Sequence, residues 1–405
     1  MLILVPSFFT LVIVIALARL IGMLFRKIGQ PPVMGEVLGG IILGPSVLGY
    51  FFPQFSSVVF HGESVAFLKH IADLGILLYL FVMGLEMDLP RLRKSARAAV
   101  VISQLSIIFP FILGFILASR IYSSYAPSGI GLFEFSLFIG VTLSITAFPV
   151  LARILADTNL HRTSLGDLAL TCAAANDITA WCLVAIVTGL LQASMSGAVV
   201  TVLFTILYIV LMMLVVRPYI EKLIPRLEKQ SERVPETLLA FVILGALGSA
   251  ALTDVIGIHA LFGAFLFGAI IPNESLIARD LTERLQDFVR ILFLPAFFAT
   301  TGMKTQIGLL SGSQDWILCI VVIGVAVLGK FGGTFIAAIF SGKNRQESAI
   351  LGILMNTRGL VELIVLNIGL SVGVLTPTLF TILVIMAVVT TFMTGPLLKL
   401  VNTKS

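Results

Sequence analysis

The sequence predicts an all-α polytopic membrane protein of about thirteen transmembrane helices. Three observations carry that reading. Of the 405 residues, 58% are hydrophobic and 12% charged, with a mean hydropathy of +1.10; soluble domains keep about 25% of their residues charged. The apolar residues gather into stretches near the ~20 residues a helix needs to cross a bilayer. The basic residues alternate from loop to loop, as a chain threaded back and forth requires.

In order, the spans run roughly 4–25, 35–51, 65–87, 97–119, 133–154, 163–190, 197–218, 235–253, 255–272, 286–302, 314–341, 347–371 and 376–399. The first lacks a positive leader and a small-residue cleavage site, so it reads as a retained helix. The second and ninth are short and glycine-rich. The connector at about 217–234 is charged, and residues 401–405 form a short tail.

Alternate loops hold Arg26/Lys27, Arg91/Arg93/Lys94/Arg97, Arg153/Arg162, Arg217/Lys222/Arg226/Lys229/Arg233, Arg279/Arg284/Arg290, Lys343/Arg345 and Lys399/Lys404, twenty of the 26 basic residues. The opposite loops hold Lys69, Arg120 and Lys304. The positive-inside rule puts the N-terminus outside and the C-terminus in the cytoplasm, as an odd span count demands. The +5 net charge is dispersed, which speaks against nucleic acid. Cys172, Cys182 and Cys319 sit in apolar spans without metal or disulfide spacing, and read as small core residues.

A weak internal repeat runs through the chain. Gly39 and Gly44 match Gly263 and Gly268 at an offset of 224, and Gly84 matches Gly302 at 218. The copies run in opposite senses across the membrane, the signature of many secondary transporters. Spans 4–6 then pair with 11–13. The middle pair is interrupted: Gly140-Val-Thr142-Leu-Ser144-Ile-Thr146-Ala-Phe-Pro149 in one, Asn356-Thr357-Arg358-Gly359 in the other. Pro149 is expected to kink its helix. Broken helices at mid-membrane expose carbonyls and hydroxyls that can ligand a cation.

Asp177 is the most informative residue. It lies about 14 residues into the sixth span, ~21 Å at ~1.5 Å per residue. A carboxylate at mid-membrane is costly unless it faces water, a cation or a partner. Lys330, Arg358 and Glu362 share that depth. Arg358 and Glu362, four apart, can pair on one helix face. Lys330 has no local acid, which makes Asp177 its expected partner, either as a displaceable stand-in cation or as a fixed crosslink. Asn176, Thr142, Ser144 and Thr146 are candidate oxygen ligands, although helical hydroxyls often bond back to carbonyls. Glu36, Asp73 and Asp287 read as helix-start carboxylates favoured by the dipole. His61, His70, His161 and His259 fall near loops or span ends, with a pH-sensing role open for His161 or His259.

Four segments together carry a family resemblance: Gly35-Glu-Val-Leu-Gly-Gly-Ile-Ile-Leu-Gly-Pro-Ser-Val-Leu-Gly49, Ser144-Ile-Thr-Ala-Phe-Pro-Val-Leu-Ala-Arg-Ile-Leu155, Asn176-Asp177, and Met355-Asn-Thr-Arg-Gly-Leu-Val-Glu-Leu-Ile-Val-Leu-Asn367. The chain resembles the monovalent cation:proton antiporter-2 family from about residue 30 to 395, and is most similar to the branch of plant cation/proton exchangers and their bacterial relatives. The resemblance implies a thirteen-helix antiporter fold with two crossed broken helices. It implies a mobile core at about 97–190 and 314–399, and dimerisation helices at about 1–87 and 197–302, within one membrane domain at 1–400. It also implies an elevator-like exchange of Na⁺ or K⁺ for H⁺, with Asp177 as the essential acid and Lys330 as the conserved base. The chain departs from electrogenic relatives, which carry two adjacent aspartates, in having Asn176. Many members add a cytosolic domain; here it is absent or trimmed.

The expected function is therefore cation/proton exchange at Asp177, in a homodimer in the cell (inner) membrane, without cofactor or enzymatic activity. A cation channel and a Na⁺-coupled symporter are the alternatives. No filter resembling Thr-Val-Gly-Tyr-Gly supports the channel.

Overall fold

The structure is a computed structural model describing residues 4–87, 97–158, 160, 163–192, 195–228 and 234–402. Arg91, Arg93, Lys94, His161, Arg162, Lys229, Arg233 and Lys404 fall outside them. The helices are α1 Leu4–Lys27, α2 Pro32–Leu43, α3 Leu48–Phe51, α4 Pro53–Val59, α5 Gly62–Leu85, α6 Arg97–Tyr125, α7 Leu132–Ser144, α8 Phe148–Asp157, α9 Ser164–Gln192, α10 Met195–Leu211, α11 Arg217–Glu228, α12 Glu236–Ile256, α13 Ala260–Ile270, α14 Leu276–Phe288, α15 Leu294–Lys304, α16 Ser313–Phe340, α17 Arg345–Met355, α18 Leu360–Ser371 and α19 Pro377–Asn402. Single π-helical turns join α10 to α11 and α14 to α15. No strand occurs among the described residues.

Nine described helices are long and apolar enough to cross a membrane, or ten if the bent pair α17–α18, angled at 42°, is one span. The chain is a multi-pass integral membrane protein. Local chemistry sets the boundaries. Gly257, at φ 94°, closes α12 in the left-handed region open to glycine. Asn344 and Glu347 form a reciprocal capping box at the start of α17, with Glu347 N donating to Asn344 Oδ1 at 2.8 Å.

Three boundary readings change. The second span ends as a helix at Leu43 and continues through the short α3 and α4. Asp73 lies mid-helix in α5, and Asp287 at the end of amphipathic α14, so neither caps a helix start. Glu36 is also not in the first turn of α2; it is buried and pairs with Arg19 at 3.7 Å.

The chain divides into two compact units. One comprises residues 1–11, 62–93 and 185–297; the other comprises 12–61, 94–184 and 298–405. In the first, α5 lies against α13, and Gly84 leaves no room for a Cβ beside Phe265 O and the Gly268 backbone. In the second, α2 lies against α15, and Gly302 stands in the same relation to Val37 O and Gly40. A third contact recurs: Gly35 abuts Ile21 O, and Gly263 abuts Ser249 O. Residues 21, 35, 37 and 40 thus map onto 249, 263, 265 and 268 at a constant offset of 228. The glycine pairing at 224 is therefore one helical turn out of register. Gly40, not Gly44, corresponds to Gly268.

Candidate ion site at the crossing of two broken helices

The second unit contains both interrupted spans. α7 stops at Ser144 and α8 starts at Phe148; α17 stops at Met355 and α18 starts at Leu360. The breaks are tied to each other. Ala147 N donates to Thr357 O at 3.1 Å, and Thr146 Oγ1 donates to Met355 O at 3.0 Å. Thr391 of α19 clamps the second break, accepting from Arg358 N at 2.9 Å and donating to Arg358 O at 2.7 Å. The first break lies at 145–147, before Pro149, which sits in the first turn of α8 where its missing N–H costs nothing. The kink expected from Pro149 is a clean interruption instead.

Four half-helix ends meet here, and each faces a charge of the sign its dipole favours. Arg358 closes the C-terminus of α7, donating from Nη1 to Thr142 O at 3.2 Å and from Nη2 to Leu143 O at 2.7 Å. Glu362 occupies the first turn of α18 and accepts from Arg358 Nη1 at 2.9 Å, both side chains fully buried. Lys330 of α16 stands one hydroxyl from the α17 terminus, its Nζ donating to Thr146 Oγ1 at 2.6 Å. The N-terminus of α8, at Phe148, bears on Asp177.

Asp177 lies at the centre of α9, 13 residues after Ser164 and 15 before Gln192. It is completely buried, and neither carboxylate oxygen has a hydrogen-bond partner among the described residues. The Phe148 backbone amide approaches it as a weak hydrogen-bond donor, and the Lys330 ammonium acts on it through its charge. Neither makes a hydrogen bond of good geometry to it. The expected Lys330–Asp177 ion pair is not formed; Thr146 holds the ammonium.

The other candidate ligands are engaged. Thr142 and Ser144 donate back to Phe138 O at 2.9 Å and Val141 O at 2.7 Å, each keeping lone pairs free. Thr146 gives its proton to Met355 O and accepts from both Lys330 and Asn176 Nδ2, the latter at 3.2 Å, so both lone pairs are used. Asn176 turns its oxygen away, toward Ser103 of α6.

The family described as sodium/hydrogen exchanger, transmembrane, matches residues 12–403. The chain belongs to that family. Among curated relatives, the Na(+)/H(+) antiporter NhaS4 of Synechocystis is 43% identical over 389 residues, covering 96% of this chain and 95% of the relative. Cation/H(+) antiporter 17 of Arabidopsis thaliana is 42% identical over 387 residues, covering 95% of this chain but 47% of the relative. The chain thus spans nearly the full length of one and about half of the other. The sodium proton antiporter MjNhaP1 of Methanocaldococcus jannaschii shares the fold, with a TM-score of 0.72 at 16% identity over 98% of this chain and 96% of that one.

The arrangement includes residues that the sequence alone does not single out. Ser103 and Ser106, three apart with Gln104 between them, lie one turn apart on the same face of α6. Thr391 is masked by the neighbouring threonines of α19. Asn356, in the second break, keeps a buried Oδ1 without a hydrogen-bond partner among the described residues.

Proposed function

We propose that the protein is a secondary active transporter that exchanges a monovalent cation, Na⁺ or K⁺, for H⁺ by alternating access. Asp177 is the shared cation and proton site. The single observation that carries this is a carboxylate at the midpoint of a membrane helix, fully buried and without a hydrogen-bond partner among the described residues, beside two broken helices. A carboxylate in that setting is stabilised by a proton or by a desolvated cation, and by little else. The two compete for one pair of oxygens. The uncompensated charged site resists passage across the bilayer, so only neutralised states move and exchange becomes obligatory. The relatives named as Na⁺/H⁺ and cation/H⁺ antiporters support the reading.

Of the proposed ligands, Thr142 and Ser144 retain lone pairs for the ion. Thr146 and Asn176 reach it only after rearrangement. Arg358 and Glu362 neutralise each other and the helix ends, and take the structural role in the crossing. We further assign thirteen membrane crossings with the N-terminus outside and the C-terminus in the cytoplasm, in the cell membrane, on the distribution of basic residues. Helices at about 97–190 and 314–399 form the moving core, and those at about 1–87 and 197–302 the scaffold of a homodimer.

Proteoliposomes carrying an internal pH dye test the exchange. A cation gradient of Li⁺, Na⁺, K⁺ or Rb⁺ is expected to drive proton movement in the opposite direction, with at least one of these ions saturating. Cation flux without proton movement, or flux at channel rates, would overturn the proposal.

A further inference from the structure

Asn176 sits beside Asp177 but has no carboxylate to titrate, and its side chain is held from both ends. Its Oδ1 accepts from Ser103 Oγ at 2.9 Å. Its Nδ2 donates to Ser106 Oγ at 2.9 Å and to Thr146 Oγ1 at 3.2 Å. Ser106 in turn gives its own proton to Ser103 O at 2.8 Å. All four side chains are fully buried.

Counting donors and acceptors fixes the amide's direction. Ser106 Oγ stands 2.9 Å from Asn176 Nδ2 and 3.4 Å from Oδ1, and its one proton goes to the shorter contact with Ser103 O at 2.8 Å; toward Asn176 it therefore accepts, and the group facing it is the NH₂. Thr146 has spent its proton on Met355 O, so it too accepts from that NH₂. Ser103 keeps a proton for the oxygen. A flipped amide would set oxygen against two hydroxyls with no proton to give, and each would have to abandon a carbonyl. One lone pair of Thr146 is thereby occupied, and the other is left for Lys330.

Resting on the exchange reading above, we infer that Ser103 and Ser106 are positioning residues of the ion site: they clamp the Asn176 amide so that Thr146 offers a single remaining lone pair, to the Lys330 ammonium. Neither serine touches the ion. They act through Asn176 on where Lys330 rests, and hence on how readily a cation displaces its charge from the vicinity of Asp177. Releasing the amide lets its oxygen swing toward Thr146 and Lys330, adding an acceptor that holds the ammonium in place. The cation then competes less well.

The test uses the full chain reconstituted in liposomes, with Ser106→Ala, Ser103→Ala, Ser106→Thr and Asn176→Ala, alone and in pairs. Losing one buried hydrogen bond is worth about fivefold in affinity. Ser106→Ala is expected to raise the apparent KM for the exchanged cation by about that factor while kcat changes by less than about twofold. Ser106→Thr restores the hydroxyl and should restore KM. In the Asn176→Ala background the serine substitutions should have no further effect on KM, because the amide they hold is gone. An unchanged KM in Ser106→Ala, or a KM effect that persists undiminished without Asn176, would overturn the inference. The same double-mutant cycle read as melting temperature judges the clamp without transport: additive losses would refute it. A wild type that drives no exchange would refute the exchange reading itself.

Discussion

Arg358 is the residue whose removal should do the most damage to the crossing. Its guanidinium is fully buried and donates to Thr142 O, Leu143 O and Glu362 Oε1. Arg358→Met keeps most of the volume and removes all three donors. It leaves two carbonyls at the end of α7 without their partner, and a buried carboxylate on α18 without its countercharge. Breaking a buried pair by deleting one partner costs about 3–5 kcal/mol, and the orphaned carbonyls push the effect to the upper part of that range. Adding Glu362→Leu should recover about half of the loss, since the uncompensated carboxylate contributes most of it. Arg358→Lys should fall between, because an ammonium cannot reproduce the planar fork that spans two carbonyls and a carboxylate. Thermal melting in detergent, followed by the fluorescence of the buried Trp181, reads all four proteins. Arg358→Met melting with the wild type, or the double variant melting below the single one, would refute the reasoning.

Other outcomes follow from the same geometry. Lys330→Ala should couple more strongly to Thr146→Val than to Asp177→Asn in double-mutant cycles on melting temperature, since Thr146 is its direct partner; the reverse order would restore the Lys330–Asp177 pair. Gly84→Ala and Gly302→Ala should each destabilise by about 1–3 kcal/mol through overpacking against backbone, whereas Gly324→Ala, with nothing near its Cβ position, should be neutral or stabilising by up to about 1 kcal/mol; equal effects at all three sites would contradict the contacts. Exchange should be electroneutral, one proton for one cation, because Asn176 cannot titrate and the Arg358 and Glu362 charges stay paired. A potential clamped with valinomycin across proteoliposomes, with Na⁺ or Li⁺ as the test ion, should then leave the exchange equilibrium unmoved; a shift with voltage would mean that Lys330 also releases a proton.

Much of the fold was legible because membrane burial leaves few options. A helix must satisfy its own backbone in hydrocarbon, so apolar length reads directly as a span. The two interruptions and Asp177 stood out for the same reason, since polar groups at mid-membrane are expensive. What escaped was everything decided by side-chain direction. Lys330 and Asp177 share a depth, yet the ammonium turns to Thr146, and no spacing in the sequence encodes that. Glu36 looked like a helix-start acid because its distance from Pro31 was known, whereas the position of Arg19 on α1 was not. The repeat was found through its glycines but misaligned by a turn, because Gly39, Gly40 and Gly44 are equivalent as letters and differ only in which one meets another backbone. Ser103 and Ser106 carry little signal as letters, because hydroxyls in a membrane helix usually bond to their own carbonyls; a pair three apart beside a buried Asn is the cue that separates them.

The central claim is that one carboxylate holds either the proton or the cation. Purified protein in a weakly buffered detergent solution tests it without any gradient. Titrating in the transported cation should release one proton per cation bound near neutral pH, as the ion displaces it from Asp177. Asp177→Asn should fold, melt cooperatively and release none. Undiminished proton release from Asp177→Asn, or cation binding by the wild type with no proton released at any pH, would contradict the account.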